Sequence, residues 1–138
     1  MTTGKKSINN TVMKREILIW ILRIAASVIL LQTLYFKFSG AEESIYIFTA
    51  LGVEPYGRIG SGIAELIVVI LILIPKTTWI GALSGIGVMT GAILSHVFVL
   101  GLVVKDDGGL LFSLAIITLL CCLGLLYFNK NKLSNLLN

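Results

Sequence analysis

Three ionisable residues, Arg23, Glu65 and His96, interrupt long apolar runs of the chain. An ion facing lipid tails is costly, so each is expected to turn inward, pair, or line a wet cavity, and these are the first candidates for chemistry. Glu65 lies about seven residues, roughly 10 Å, inside the outer end of its run, and His96 about eight residues, roughly 12 Å, inside the outer end of the next. Gln32 sits about four residues, roughly 6 Å, below the outer end of the first run, with Lys37 and Arg58 above it. Five polar groups therefore converge on one half of the molecule. A carboxylate and an imidazole at similar depth can exchange a proton with a bound ligand, because desolvation raises the pKa of the acid and lowers that of the base.

Glu65 and His96 are thus the candidate proton-handling, catalytic pair, and Arg23, Gln32, Lys37 and Arg58 the candidate ligand-binding groups. The set would suit a quinone headgroup, whose reduction consumes protons. A plainer reading stands beside it, in which a buried Glu–His or Glu–Arg contact fastens two helices. Arg23 is the outlier, about six residues from the opposite end of its run, and only a tilted helix or its long flexible side chain would bring it toward Glu65. One histidine and one carboxylate are too few for a transition-metal site. No nucleophile with a base at recognisable spacing is present, which argues against a hydrolase.

The elements that must position these groups follow from composition and run length. The chain has 138 residues, 57% of them hydrophobic and 13% charged, with a mean hydropathy of +0.97. Such a composition leaves too little polar surface for a water-soluble domain, so lipid is the expected solvent and the bilayer the first partner. The formal charge of +4 is not gathered into a basic stripe with interleaved aromatics, so nucleic acid is not an expected partner. A spanning helix rises about 1.5 Å per residue through roughly 30 Å of hydrocarbon and needs about 20 residues. Four runs approach or meet that length, at residues 17–36, 58–74, 79–104 and 110–128. The expected fold is an all-α, four-helix membrane bundle forming one domain, with residues 1–10 disordered. The first run is too long for a signal-peptide core and lacks a small-x-small cleavage site, so it is expected to stay in the protein.

Basic residues set the expected orientation. Lys5, Lys6, Lys14 and Arg15 precede the first run, Lys76 lies between the second and third, and Lys130 and Lys132 follow the fourth, whereas the other connections hold Lys37, Arg58 and Lys105. The positive-inside rule then puts both termini in the cytoplasm. Residues 38–57 are too apolar for a solvated loop. Ser39-Gly40-Ala41-Glu42 has capping-box spacing, about two helical turns would follow, and Gly52 is placed as a C-terminal cap, which predicts a short interfacial helix with Tyr46 and Tyr56 at its depth. Asp106 or Asp107 is placed to cap the fourth helix. Gly81-x-x-x-Gly85 and Gly87-x-x-x-Gly91-x-x-x-Ser95 predict a smooth strip for close packing, and Gly60 with Ala64 a second. Cys121 and Cys122 are adjacent, which is neither redox nor metal-ligand spacing, and read as small apolar residues.

Arg23 early in the first run, Phe36-Lys37-Phe38 at its end, the Gly-Val-Glu-Pro stretch at 52–55, Arg58-Ile59-Gly60-Ser61-Gly62 and then Glu65 together resemble the DoxX-like family of small four-span bacterial membrane proteins. The resemblance covers about residues 23–128. It implies a four-helix bundle of the bacterial cytoplasmic membrane and a link to membrane redox systems, since the family includes a subunit of a thiosulfate:quinone oxidoreductase and others associated with thiol or oxidative-stress enzymes. Arg23, Lys37, Arg58 and Glu65 match its polar positions, whereas His96 rests on the depth argument. The resulting expectation is an accessory or quinone-interacting subunit of a membrane oxidoreductase with a redox protein partner. A non-catalytic scaffold is the alternative. Small-solute transport ranks third, because four short spans make a narrow monomeric path and show no inverted repeat, although a homo-oligomer would escape that objection.

Overall fold

The computed structural model describes residues 2–131 and 135. Five α-helices follow one another: α1 (Thr2–Phe38), α2 (Glu42–Ala50), α3 (Tyr56–Leu73), α4 (Thr78–Ser95) and α5 (Leu110–Phe128), with a π-helical turn, His96–Leu100, extending α4. Four of these are long and apolar enough to cross a membrane, and α2 is the short helix between the first two. In the packing α1 and α4 each neighbour both α3 and α5, which puts α1 and α4 on the diagonal of a four-helix bundle. Lys132, used in the orientation argument, lies outside the described residues.

Lipid competes with apolar side chains for contacts, so such a bundle closes only where backbones approach. Gly81 and Gly85 provide that approach. A β-carbon on Gly81 would lie 2.7 Å from the Ile72 backbone nitrogen of α3, and one on Gly85 would lie 2.7 Å from the Cys122 sulfur of α5. Around them Ala26, Leu30, Val68, Val69, Ile72, Ala82, Met89, Cys122 and Leu125 form the core. Outward, Ile63, Ile67, Ile70, Leu120 and Leu123 remain exposed, as suits side chains facing hydrocarbon.

Several expectations change. The predicted small-residue strip divides: nothing lies within 4 Å of a β-carbon added to Gly60, Gly87 or Gly91. Helical spacing put these glycines on one stripe, but only the portion that meets α3 and α5 is packed. Residues 2–10, expected to be disordered, are helical, since α1 starts at Thr2, and Met1 lies outside the described residues. A helix already nucleated in the span gains one backbone bond per added residue, and no proline interrupts this segment. At its 37 residues α1 is roughly 55 Å long, well beyond a hydrocarbon core. The third span ends before 104. The Gly101 N–H donates to the His96 carbonyl at 2.8 Å, and Gly101 has φ +80°, which turns the chain out of the helix.

The capping box is also absent. Ser39 and Gly40 end α1 rather than begin α2: Gly40 has φ +68°, its N–H reaches the Lys37 carbonyl, and the Ala41 N–H reaches the Phe36 carbonyl at 3.0 Å. This is a Schellman closure of the first span. The same closure ends α2 at Gly52, as expected, with Gly52 N–H on Thr49 and Val53 N–H on Phe48, both at 3.0 Å. Asp107 fulfils the predicted cap for α5 by accepting from the Leu111 N–H at 3.1 Å. It also accepts from Val104 and Gly109 N–H groups, which folds the connecting loop around one carboxylate.

A buried ion pair in an apolar cavity

Glu65 sits on the inward face of α3, one helical step from the core residues Val68 and Val69, and is 4% exposed. Its partner comes from the end of α1: Lys37 Nζ donates to Glu65 Oε1. Thr33, one turn before Lys37, has its hydroxyl 3.1 Å from Glu65 Oε2 and 2.8 Å from the Leu30 carbonyl. That hydroxyl carries a single proton and can serve one acceptor at a time. Lys37 has three N–H donors and spends one on Glu65. Its ammonium also lies 5.8 Å from the centre of the Phe48 ring of α2.

Arg58 holds this arrangement from behind. Its Nε lies 2.9 and 3.1 Å from the two Glu54 carboxylate oxygens, and its Nη1 donates to the Lys37 carbonyl. A guanidinium there adds a second donor to a carbonyl that otherwise takes only the long Gly40 N–H bond of 3.4 Å, and opposes the negative end of the α1 dipole. Arg58 thus positions Lys37 and is not among the residues lining the cavity described next.

The ion pair borders a cavity of about 500 Å³ enclosed by α1, α3, α4 and α5 and covered by α2. Gln32, Thr33, Lys37, Ser44, Glu65 and His96 are among its polar groups, with the further carboxylates of Glu43 and Asp107, while Leu30, Phe36, Phe48, Val88, Met89 and Leu114 are among its apolar walls. Four of the predicted polar residues, Gln32, Lys37, Glu65 and His96, therefore meet at one site. Glu65 and His96 face the same space without bonding to each other: the His96 Nδ1 lies 3.1 Å from the Gly101 carbonyl, and its ring stands edge-on to Phe112 at 5.7 Å. With a carbonyl as partner, Nδ1 carries the proton and Nε2 is left as an acceptor. Asp107 borders the cavity from the loop. Burial opposes its ionisation, but the backbone N–H groups of Leu111, Gly109 and Val104, with the nearby His96 imidazole, hold it below the usual carboxylate range.

Arg23 does not reach Glu65. Its Nε donates to the Thr78 hydroxyl at 3.2 Å, and its guanidinium carbon lies 4.7 Å over the Trp20 ring. It borders a separate pocket at the end of the bundle where α1 enters and α5 leaves. Thr33 and Glu54 were not singled out as site residues although a signal existed: Thr33 lies one turn before Lys37 on α1, and Glu54 four residues before Arg58, just ahead of α3. Ser44 and Thr78 had no such signal, because their neighbours come from elsewhere in the chain.

The arrangement is a mostly apolar chamber with a few convergent polar groups, the usual make-up of a site for a small amphiphile. The ammonium can donate to a carbonyl-type oxygen, the Glu65 carboxylate can hold or release a proton, and His96 Nε2 can accept one. No protein-family model matches the chain, and no curated protein or solved structure is significantly similar to it.

Proposed function

We propose that this chain is a DoxX-like integral membrane protein of the bacterial cytoplasmic membrane, both termini inside, that serves a membrane redox system by holding a quinone-class headgroup beside Lys37 and Glu65. The observation that carries this reading is the buried Lys37–Glu65 pair opening onto an apolar cavity of about 500 Å³. A pair that only fastened helices would be expected to be walled in by packed side chains. The donor set fits the ligand class: Lys37 and Gln32 offer N–H groups to a carbonyl oxygen, and Phe36, Phe48 and Met89 offer a slot for a flat ring. A quinone supplies two-electron, two-proton redox chemistry when bound. Toward it, Lys37 orients an oxygen, Glu65 holds a proton at a carboxylate oxygen, and the Gly101 carbonyl keeps His96 in one orientation at the cavity wall.

This role makes the chain an accessory or quinone-interacting subunit, with electrons delivered by a redox protein partner. Native mass spectrometry of protein extracted gently from its own membranes tests it. The expected result is a stoichiometric isoprenoid quinone, or an oxidoreductase polypeptide, lost in Glu65→Gln and retained in Lys105→Ala, whose position lies outside the cavity lining. Protein carrying only ordinary phospholipid would overturn it.

The second reading, a non-catalytic scaffold, draws support from the tie that Lys37 makes between α1 and α3. Under it, a Lys37→Met/Glu65→Leu double variant keeps every property of the protein. Under the first reading, the same variant keeps the fold and loses the quinone. Transport is disfavoured by the core below the cavity, where Ala26, Val69, Ile72 and Cys122 pack without a path to the opposite end.

A further inference from the structure

The opposite end of the bundle carries a second polar pocket, of about 320 Å³, bordered by Arg15, Glu16, Ile19, Trp20, Arg23, Pro75, Phe128 and Asn129. Arg23 is its most unusual wall. The residue is 5% exposed, yet of its guanidinium N–H groups one, on Nε, has a protein acceptor among the described residues. That acceptor is the fully buried Thr78 hydroxyl, whose own proton is directed to the Ile72 or Ile74 carbonyl, each at 3.0 Å. The two Nη groups, with four N–H donors, have no acceptor among the described residues, and Arg23 lines the pocket.

The rest of the wall explains how an arginine is held there. Side chains on a helix lean toward its N-terminus, so Arg23 extends toward the end of the bundle and lies against Trp20, one turn earlier. Across the pocket, Arg15 Nη2 donates to the Phe128 carbonyl at 2.8 Å, which fixes the second guanidinium to the end of α5. Asn129 Nδ2 is occupied by the Leu125 carbonyl at 2.7 Å. Two guanidinium groups against the single Glu16 carboxylate leave the wall with a net positive charge. A planar, forked set of donors on the buried Arg23, most of them without an acceptor among the described residues, is the recognition chemistry of a phosphate oxygen pair.

We propose that this pocket binds a phosphate-bearing anion, and that its source is the headgroup of an acidic phospholipid in the leaflet at the end bearing the chain termini. The depth agrees with that source. Arg23 lies within the apolar segment but its side chain reaches down to the level of Trp20, the residue type that marks the interface where lipid phosphates lie. Basic pockets between spanning helices are the usual seat of such headgroups. The site is separate from the Glu65 cavity, so this inference and the proposed redox role stand or fall independently.

The test uses the full chain, delipidated in a neutral detergent and titrated in parallel with phosphatidylglycerol, phosphatidylcholine and inorganic phosphate, read by native mass spectrometry and thermal unfolding. Phosphatidylglycerol should be retained about tenfold better than phosphatidylcholine, because both offer the same phosphodiester to the fork but the choline ammonium cancels the net charge that the two guanidinium groups attract. Arg23→Gln should abolish that preference, and Arg23→Lys should keep part of it, because the charge remains and the fork does not. Stabilisation by millimolar inorganic phosphate would assign the pocket to phosphate in general, and a response to the lipid alone would assign it to the headgroup. Should Arg23→Gln not fold, Arg15→Gln makes the same comparison and should weaken the preference severalfold. Equal retention of both lipids by the wild type with no response to inorganic phosphate would overturn the proposal, as would an unchanged preference in the folded Arg23 and Arg15 variants.

Discussion

The two ends of this bundle solve the same problem in opposite ways. Each must keep a charged side chain within an apolar segment, where an unpaired ion is costly. Near α2 the solution is internal: the Lys37 ammonium meets the Glu65 carboxylate, the pair is close to neutral, and the adjoining space is mostly apolar. Near the termini no carboxylate among the described residues hydrogen-bonds Arg23, although Glu16 lines the same pocket near enough to act on its charge, and the guanidinium rests on a hydroxyl and an indole ring. A neutral pair beside an apolar chamber favours an uncharged ligand with a polar tip. Unspent guanidinium donors favour an anion.

The largest effect should come from breaking the neutral pair. Glu65→Ala strands the Lys37 ammonium, whose side chain is 15% exposed, and should cost about 3 kcal/mol of stability by denaturant or thermal unfolding in detergent. The double variant Lys37→Met/Glu65→Leu should recover most of that loss, and an unrecovered double variant would show that packing rather than charge dominates there. Arg23→Met at the other end should cost less, about 1 kcal/mol, because one hydrogen bond and one ring contact are lost and no opposite charge is stranded. A cost equal to that of Glu65→Ala would erase the contrast between the ends.

A pH series sharpens the comparison at the α2 end. Asp107 is held below the ordinary carboxylate value of 3.8, so its folded form binds a proton less readily than its unfolded form. Its contribution to stability is therefore complete above that value and declines as pH falls through the lower folded value. The difference in unfolding temperature between the wild type and Asp107→Asn should be constant at neutral pH and shrink below pH 4. The smallest effect is expected at the outer rim, where Lys105 Nζ lies 3.2 Å from Glu42 Oε1 and 5.1 Å from the Tyr46 ring. Both partners of that ion pair are largely exposed, so Lys105→Ala should leave unfolding unchanged within error.

Features that depend on a few neighbouring residues could be read without the fold. Gly52 as the end of α2 and Asp107 as the cap of α5 are local backbone chemistry, set by positive φ and by a short acidic side chain within reach of free N–H groups. Ser39 and Gly40 show where such reading fails. The same four residues suited the start of one helix and the end of another, and the choice went to the long span that already held its hydrogen bonds up to Phe38. The glycine strip failed for a related reason, since spacing places residues on a stripe but does not say which part of the stripe faces a neighbour.

The polar site divides along the same line. Sequence alone gathered Glu65, His96, Gln32 and Lys37 toward one end of the spans, because depth follows from helical rise and the ends of apolar runs. The span that ends at Leu100 nevertheless leaves His96 about four residues inside it, where the run to 104 implied about eight. Tertiary structure decided who meets whom. It paired Glu65 with Lys37 in place of Arg23 or His96, turned Arg58 toward the end of α1, brought Thr33 to the carboxylate, and left His96 across an open space. Those outcomes depend on rotation of each helix about its own axis and on which helices are diagonal. Close contacts at small residues contribute to both: Gly81 and Gly85 seat α4 against α3 and α5, and Gly62 against Phe38 and Gly124 against Leu22 bring α3 and α5 to α1.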